Sequence, residues 1–195
     1  MQSHVQQGQS SVEFALAAVV LLLLALGLMD LGRVFYFDVG LAGATREGAR
    51  QAAWFDPNAG PSNTQCPVPN CDLYDGAIKA AVDGVLANSG LPASALQNPS
   101  GTTCPATSDG NSQYNPPYVD SAYTAGSINQ PLLYICYNNT PGDDLTAAPT
   151  DNSRKGQDVN VILLMNFGFA TGFMQGVLGT SVHLAVNTHM IVGGF

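Results

Sequence analysis

Charge is scarce in this chain. Asp, Glu, Lys and Arg make up 10% of its 195 residues, against about a quarter in an ordinary domain. Lys and Arg number six in all, and the net charge is −8. No basic cluster exists, so the phosphate-neutralising surface that nucleic-acid binding needs is missing. The acids are scattered, mostly as Asp in loop-like sequence, where they read as solvated turn residues. Proline does not occur before Pro57, so nothing in that stretch forces a helix to break. Catalytic signatures are missing too: there is no Gly-x-Ser-x-Gly, no His-Glu-x-x-His, no Walker loop and no EF-hand loop. The three histidines (His4, His183 and His189) stand apart from the cysteines in sequence, which disfavours a zinc site. These absences point away from an enzyme, a metal protein or a cofactor carrier.

One long apolar run is present. From Val12 to Met29 the only charge is Glu13. Phe14 to Met29 would span about 24 Å as a helix, and with its flanks it approaches the roughly 30 Å of a bilayer's hydrocarbon. A cleaved secretory signal is a poorer fit. The segment before the run has no Lys or Arg, and Gly27-Leu28-Met29-Asp30 is not a small-x-small cleavage site. A carboxylate inside such a run is costly, so Glu13 implies a partner.

The helical pattern continues beyond the apolar run. Val34, Phe37, Leu41, Ala44, Gly48 and Ala52 recur at steps of three and four, a narrow stripe of apolar and small residues. Asp30 with Arg33, and Glu47 with Arg50, sit three apart and can pair. Together these features predict one helix over Gln9–Trp54, about 69 Å long. A rod of that length exceeds a small domain and implies lateral partners. Gly27, Gly32, Gly40, Gly43 and Gly48 weaken it by about 1 kcal/mol each relative to Ala, and they permit close helix approach.

The remainder is polar through Ser, Thr, Asn and Gly. Cys66, Cys71, Cys104 and Cys136 lie in loop-rich sequence beyond the anchor, which reads as two disulfides in an oxidising compartment. Four cysteines allow three pairings, and spacing cannot decide among them. Cys66–Cys71 with Cys104–Cys136 is the favoured one.

A second helix is expected over Leu73–Ala87, with Asp72 as N-cap and Asn88-Ser89-Gly90 as its stop. Its core face is read as Leu73, Ala77, Ala80, Ala81, Val85 and Leu86. A long polar region follows, with a short strand expected around Tyr118–Tyr123. Three strand candidates come next: 131–137, 158–165 and 181–192. A turn or short helix is expected between the last two, over Phe167–Leu178. Tyr114, Tyr118, Tyr123, Tyr134 and Tyr137 read as sheet packing more readily than as an adhesive surface. His183 and His189 read as sheet-surface residues, about 20 Å apart along one strand. The formal glycosylation sequon Asn138-Asn139-Thr140 is followed by Pro141 and is given little weight. The fold class is therefore α+β. It consists of a long N-terminal helix and a head with one further helix and an antiparallel sheet of about three to four strands, the helix lying on one face.

Three stretches carry a more specific signal. They are Gly8-Gln9-Ser10-Ser11-Val12-Glu13-Phe14-Ala15-Leu16, Leu28-Met29-Asp30-Leu31-Gly32-Arg33-Val34-Phe35, and Ala44-Thr45-Arg46-Glu47-Gly48-Ala49-Arg50. Together they resemble the TadE-like family, the minor pilins or pseudopilins of tight-adherence (Flp, type IVc) pilus systems. The resemblance implies a leader over 1–8, a stalk helix over 9–54 and an extracytoplasmic head over 55–195. It also implies a prepilin peptidase cutting between Gly8 and Gln9, which leaves Glu13 as the fifth residue of the mature chain. Glu13, beside Phe14, would then meet a new α-amino group and set the axial register of packed helices. Implied partners are other pilin subunits, the peptidase and the inner membrane, with no cofactor. The rival expectation is a permanent single-pass anchor that displays a ligand- or carbohydrate-binding head.

Overall fold

The computed structural model describes residues 5–53, 75–96, 104–123, 127–138, 140–141 and 156–192. Its first element, α1, is a 49-residue helix over Val5–Ala53, about 74 Å long. It passes Gly8 without a break and starts earlier than Gln9, the start expected from sequence. No proline interrupts it, and its Leu- and Ala-rich first half is made of residues that lose little on entering a helix. The two halves of α1 differ in their surroundings. From Ser10 to Met29 no residue is buried, whereas from Asp30 onward one face is closed off. The stripe expected along Val34, Phe37, Leu41, Ala44, Gly48 and Ala52 is that closed face. The second half of α1 packs into its own head, and its first half is bare except where the connection between the last two strands touches it near Gly27.

Helix α2, Asp75–Asn88, lies against α1. Its core face is Ile78, Val82 and Leu86, all fully buried at i, i+4 and i+8. Of the expected face, Leu86 is buried and Val85 packs against the core, whereas Ala80 is exposed. The broad run of alanines hid the narrower stripe of branched residues that fills the interface. A left-handed Gly90 (φ 67°) ends the helix. Leu91 N–H returns to Leu86 O at 2.8 Å and Gly90 N–H to Ala87 O at 3.0 Å. This is the paired Schellman pattern, with Leu86 and Leu91 as its apolar contact. The expected cap, Asp72, lies outside the described residues.

Glycines let the two helices approach. A Cβ on Gly48 would stand 2.6 Å from Val82 Cγ2, and one on Gly40 would stand 2.8 Å from Leu91 Cδ1. The expectation that these glycines permit close helix contact holds, with a partner in the same chain. Beyond α2, Asp83 ties down the descending segment. It accepts from Ser94 N–H at 2.7 Å and Ser94 Oγ at 2.6 Å and pairs with Lys79. That segment leads into β1, Ala95–Leu96.

The sheet is built on β2 (Leu132–Tyr137), β4 (Asp158–Gly168) and β5 (Ser181–Ile191), antiparallel in that order. The other edge of β2 takes two short pieces. β1 pairs with it in parallel at Leu132 and Leu133, and β3 (Thr140–Pro141) pairs antiparallel at Cys136 and Tyr137. β4 and β5 stay in register from Asp158 opposite Ile191 to Gly168 opposite Ser181. Both faces of β4 are covered, which is why it reads as a nearly continuous apolar run. Val161, Leu163, Met165 and Phe167 point to α1 and α2. Asn160, Ile162, Leu164 and Asn166 point the other way, toward the segment 104–123.

That covering segment is mostly irregular. Around Tyr118 the expected strand is a single bridge to Thr107, and Asp120–Ala122 is a 3₁₀ turn. Side-chain burial fixes the segment instead: Tyr118 and Tyr123 pack with Tyr134 and Leu164 beneath them. Cys104 is joined to Cys136 of β2 by a disulfide. Cys66 and Cys71 lie outside the described residues. Of the turn or short helix expected over Phe167–Leu178, the helix forms: Gly172–Leu178 is α3, in the connection between β4 and β5.

Candidate functional site: a bare helix and its junction with the head

The exposed half of α1 is the largest apolar surface on the chain. Phe14 is 74% exposed and Leu28 68%, with Leu16, Val19, Leu21, Leu22 and Leu24 similarly open between them. A water-soluble monomer does not show such a contiguous surface. The helix is long and apolar enough to cross a membrane, and none of its most apolar 18-residue window is buried. Glu13 lies on this surface and is itself exposed. Gly8 and Gln9 lie within the helical backbone of α1.

Cover begins at Asp30, whose side chain is fully buried. Its carboxylate accepts from the backbone N–H of Ala170 and of Thr171, each at 3.0 Å, and from Thr171 Oγ1 at 2.5 Å. Arg33 reaches the same carboxylate at 3.2 Å, one turn on. The Arg33 guanidinium lies 5.1 Å from the Phe167 ring centroid, a cation–π placement. Thr171 is also the N-cap of α3, accepting from Met174 N–H. A single carboxylate thus fastens the β4–α3 turn to the helix at the point where its apolar half ends. The Asp30–Arg33 and Glu47–Arg50 pairs seen in sequence both form.

A family model described as TadE-like protein matches residues 8–50. Over these residues the chain is similar to that family. The match covers α1 and stops short of the head. No curated protein and no solved structure gives a match.

Around this helix the remaining sequence candidates fall into place. His183 and His189 share a sheet face, as expected; His183 is exposed and His189 half-buried, and both meet the segment 104–123. His183 stacks on Tyr123, ring centroids 4.1 Å apart. His189 contacts Asp158 Oδ2 through Nδ1 at 2.6 Å and Asn115 Oδ1 through Nε2 at 2.7 Å. The two rings have different partners, and among the described residues no group of His, Cys, Asp and Glu could hold a metal ion. Tyr118, Tyr123, Tyr134 and Tyr137 are buried, Tyr137 on the helix side of the sheet and the others between the sheet and the covering segment. Burial holds the phenols of Tyr118, Tyr123 and Tyr134 above their ordinary pKa. They build the core and offer no open sugar-binding platform. Asn138, the sequon asparagine, uses its side-chain oxygen to accept from Asp158 N–H at 2.8 Å.

Sequence reasoning missed the tie from Asp30 to Ala170 and Thr171. The only local signal was an acid placed directly after the apolar run. Its partners are 140 residues away in the chain, beyond the reach of any spacing rule.

Proposed function

We propose that this chain is a non-enzymatic component of a tight-adherence pilus system, a minor pilin or pseudopilin. It is first inserted in the inner membrane through α1, with its head on the extracytoplasmic side. It is then assembled through the same helix into a surface filament, or at the base or tip of one. The observation that carries this reading is the bare apolar ridge of the TadE-like helix, because it extends further than lipid requires. A bilayer's hydrocarbon needs about 20 residues, which Phe14 to Arg33 supply. Phe35 and Val39 lie beyond that length and are still 62% and 70% exposed. They continue the line of Leu24, Leu28 and Leu31 at helical spacing. A neighbouring helix covers such a ridge along its whole length; lipid covers only part of it.

Cleavage between Gly8 and Gln9 by a prepilin peptidase would put a positive α-amino group at the start of the mature helix. Glu13 of a neighbouring chain would meet it and set the axial register. A carboxylate costs about 2.5–3.5 kcal/mol at mid-bilayer on insertion scales and less near the interface, where Glu13 sits; its pairing supplies directional preference while the apolar ridge supplies unspecific adhesion.

The test is made in the native host. Mass spectrometry should find chains that begin at Gln9, and sheared surface material should contain them. Glu13→Ala should leave membrane insertion intact and deplete the sheared fraction. Chains that start only at Met1 and never leave the membrane fraction would instead establish the permanent anchor with a ligand-binding head.

A further inference from the structure

The β4–β5 connection is apolar on the outside. α3 reads Gly-Phe-Met-Gln-Gly-Val-Leu and buries none of its residues. Phe173, Val177 and Leu178 are exposed large apolar side chains, Val177 at 65%. The chain has no Asp, Glu, Lys or Arg after Asp158, so no charge opposes lipid there. α3 also lies against the membrane-spanning half of α1. A Cβ on Gly27 would be 3.7 Å from Met174 Sδ and 3.8 Å from Phe173 Cε1.

Depth follows from the helix rise. If the hydrocarbon runs from Phe14 to about Arg33, Gly27 and Asp30 lie roughly 9 and 5 Å inside its outer boundary. Interfacial helices bury their apolar face to about that depth, 5–10 Å. Several polar groups of the connection are satisfied within the protein, as such a position favours. Ala170 and Thr171 N–H donate to Asp30, Met174 N–H donates to Thr171 Oγ1, and Gln175 Nε2 donates to Phe169 O at 2.9 Å.

We propose that α3 is a membrane-interface wedge. Phe173, Val177 and Leu178 enter the outer leaflet beside α1, and Asp30 holds the wedge at that depth while α3 shields the carboxylate from lipid. The occupant of this face is the bilayer itself, argued from its continuity with the apolar surface of the span. The inference rests on reading α1 as a membrane span and goes beyond it. It makes the head a second, shallow point of insertion and so fixes its orientation on the membrane.

The test uses the full chain in vesicles of phosphatidylethanolamine and phosphatidylglycerol, with the one tryptophan removed by Trp54→Phe. Single tryptophans are then placed by Phe173→Trp, Val177→Trp, Leu24→Trp and Ile191→Trp, and quenching by brominated lipids is read. Leu24→Trp reports the span; its failure to be quenched would reject the span itself. With Leu24→Trp quenched, the wedge requires quenching of Phe173→Trp and Val177→Trp by lipid brominated near the headgroup end of the acyl chain. It also requires none at Ile191→Trp, which lies about 34 Å from Ser181 along β5. The more exposed Val177→Trp carries the test if Phe173→Trp does not fold. Unquenched tryptophans on α3 would overturn the proposal. So would emission there that tracks the protein-to-lipid ratio, which would assign the face to a second copy of the chain.

Discussion

Replacing Asp30 by Ala removes one carboxylate and four interactions. Three join α1 to the β4–α3 turn: the N–H groups of Ala170 and Thr171, and Thr171 Oγ1. The fourth is the pair with Arg33. Two backbone donors are left without their acceptor, at about 1–3 kcal/mol each. The Thr171 hydroxyl can rotate toward another acceptor, and Arg33 can turn to water, so they add less. Partial entry of water into the gap relieves some of the cost, which sets the expected loss at about 2–4 kcal/mol. Denaturant unfolding of the full chain in bicelles measures it, with near-ultraviolet circular dichroism following the packing of the tyrosines. Thr171→Val and the double variant complete a cycle, whose coupling should be well above the roughly 0.5 kcal/mol expected of independent sites. A second readout is local: α3 should become susceptible to protease before the sheet does, since β4 and β5 remain paired over their full length. Asp30→Ala with unchanged unfolding and no coupling to Thr171 would refute the idea that this carboxylate fastens the head to the helix.

Three further outcomes follow from the packing. Gly48→Ala places a methyl group 2.6 Å from Val82 Cγ2 and 3.2 Å from Val161 Cγ1, so thermal unfolding should report a loss of about 1–3 kcal/mol; a neutral result would mean that α1 and α2 can separate freely. Cys104→Ser opens a bridge between positions 32 apart and should cost about 2–5 kcal/mol under oxidising conditions, a loss that reductant should reproduce in the parent chain. Asp83 is partly desolvated, which raises its pKa, but hydrogen bonds from Lys79 and Ser94 outweigh this and hold it below the ordinary carboxylate value. Its stabilising contribution is therefore full above that ordinary value and is lost as pH falls through the lowered one; an acid titration of stability should be flatter at its low end in Asp83→Asn, and an unchanged profile would remove Asp83 from the account.

The helical rod, the second helix and three strands were legible because each rests on a local period. Leu41, Ala44, Gly48 and Ala52 repeat at helical spacing, and Val182, Leu184, Val186 and Thr188 alternate as a strand face should. What the stripe on α1 would face was not legible. A small-residue stripe serves a sister helix or the chain's own head equally well, and only the tertiary structure assigns it to α2 and the sheet. The face of α2 was legible only in part, at Val85 and Leu86, because alanines ring the helix and propensity says nothing about which of them meets a neighbour. The covering segment was opaque for another reason. Tyr118 and Tyr123 are held by burial and by Cys104–Cys136 rather than by a repeating backbone pattern, so a strand was read where a bridge and a 3₁₀ turn occur. The Asp30 tie could not be read at all, since hydrogen bonds across 140 residues leave no periodic trace.

The division of α1 at Asp30 constrains any assembly of this chain. A helix packed on all sides by sisters must be free on all sides, and only the stretch before α3 touches it at Gly27 is. Beyond it, α2 and the sheet occupy one face, leaving the outward ridge of Leu31, Phe35 and Val39 for a neighbour. Subunits could therefore bundle closely along their first halves yet meet only on one side along their second. That asymmetry predicts unequal consequences for two substitutions of the same chemistry. Val39→Asp, beyond the bilayer's reach, should leave insertion unchanged and reduce recovery in sheared filaments. Leu22→Asp should impair insertion itself, because a carboxylate at mid-span costs about 2.5–3.5 kcal/mol wherever no partner meets it. Quantitative blotting of membrane and sheared fractions separates the two. Equal behaviour of the variants in both fractions would mean that the ridge beyond the membrane has no neighbour to lose.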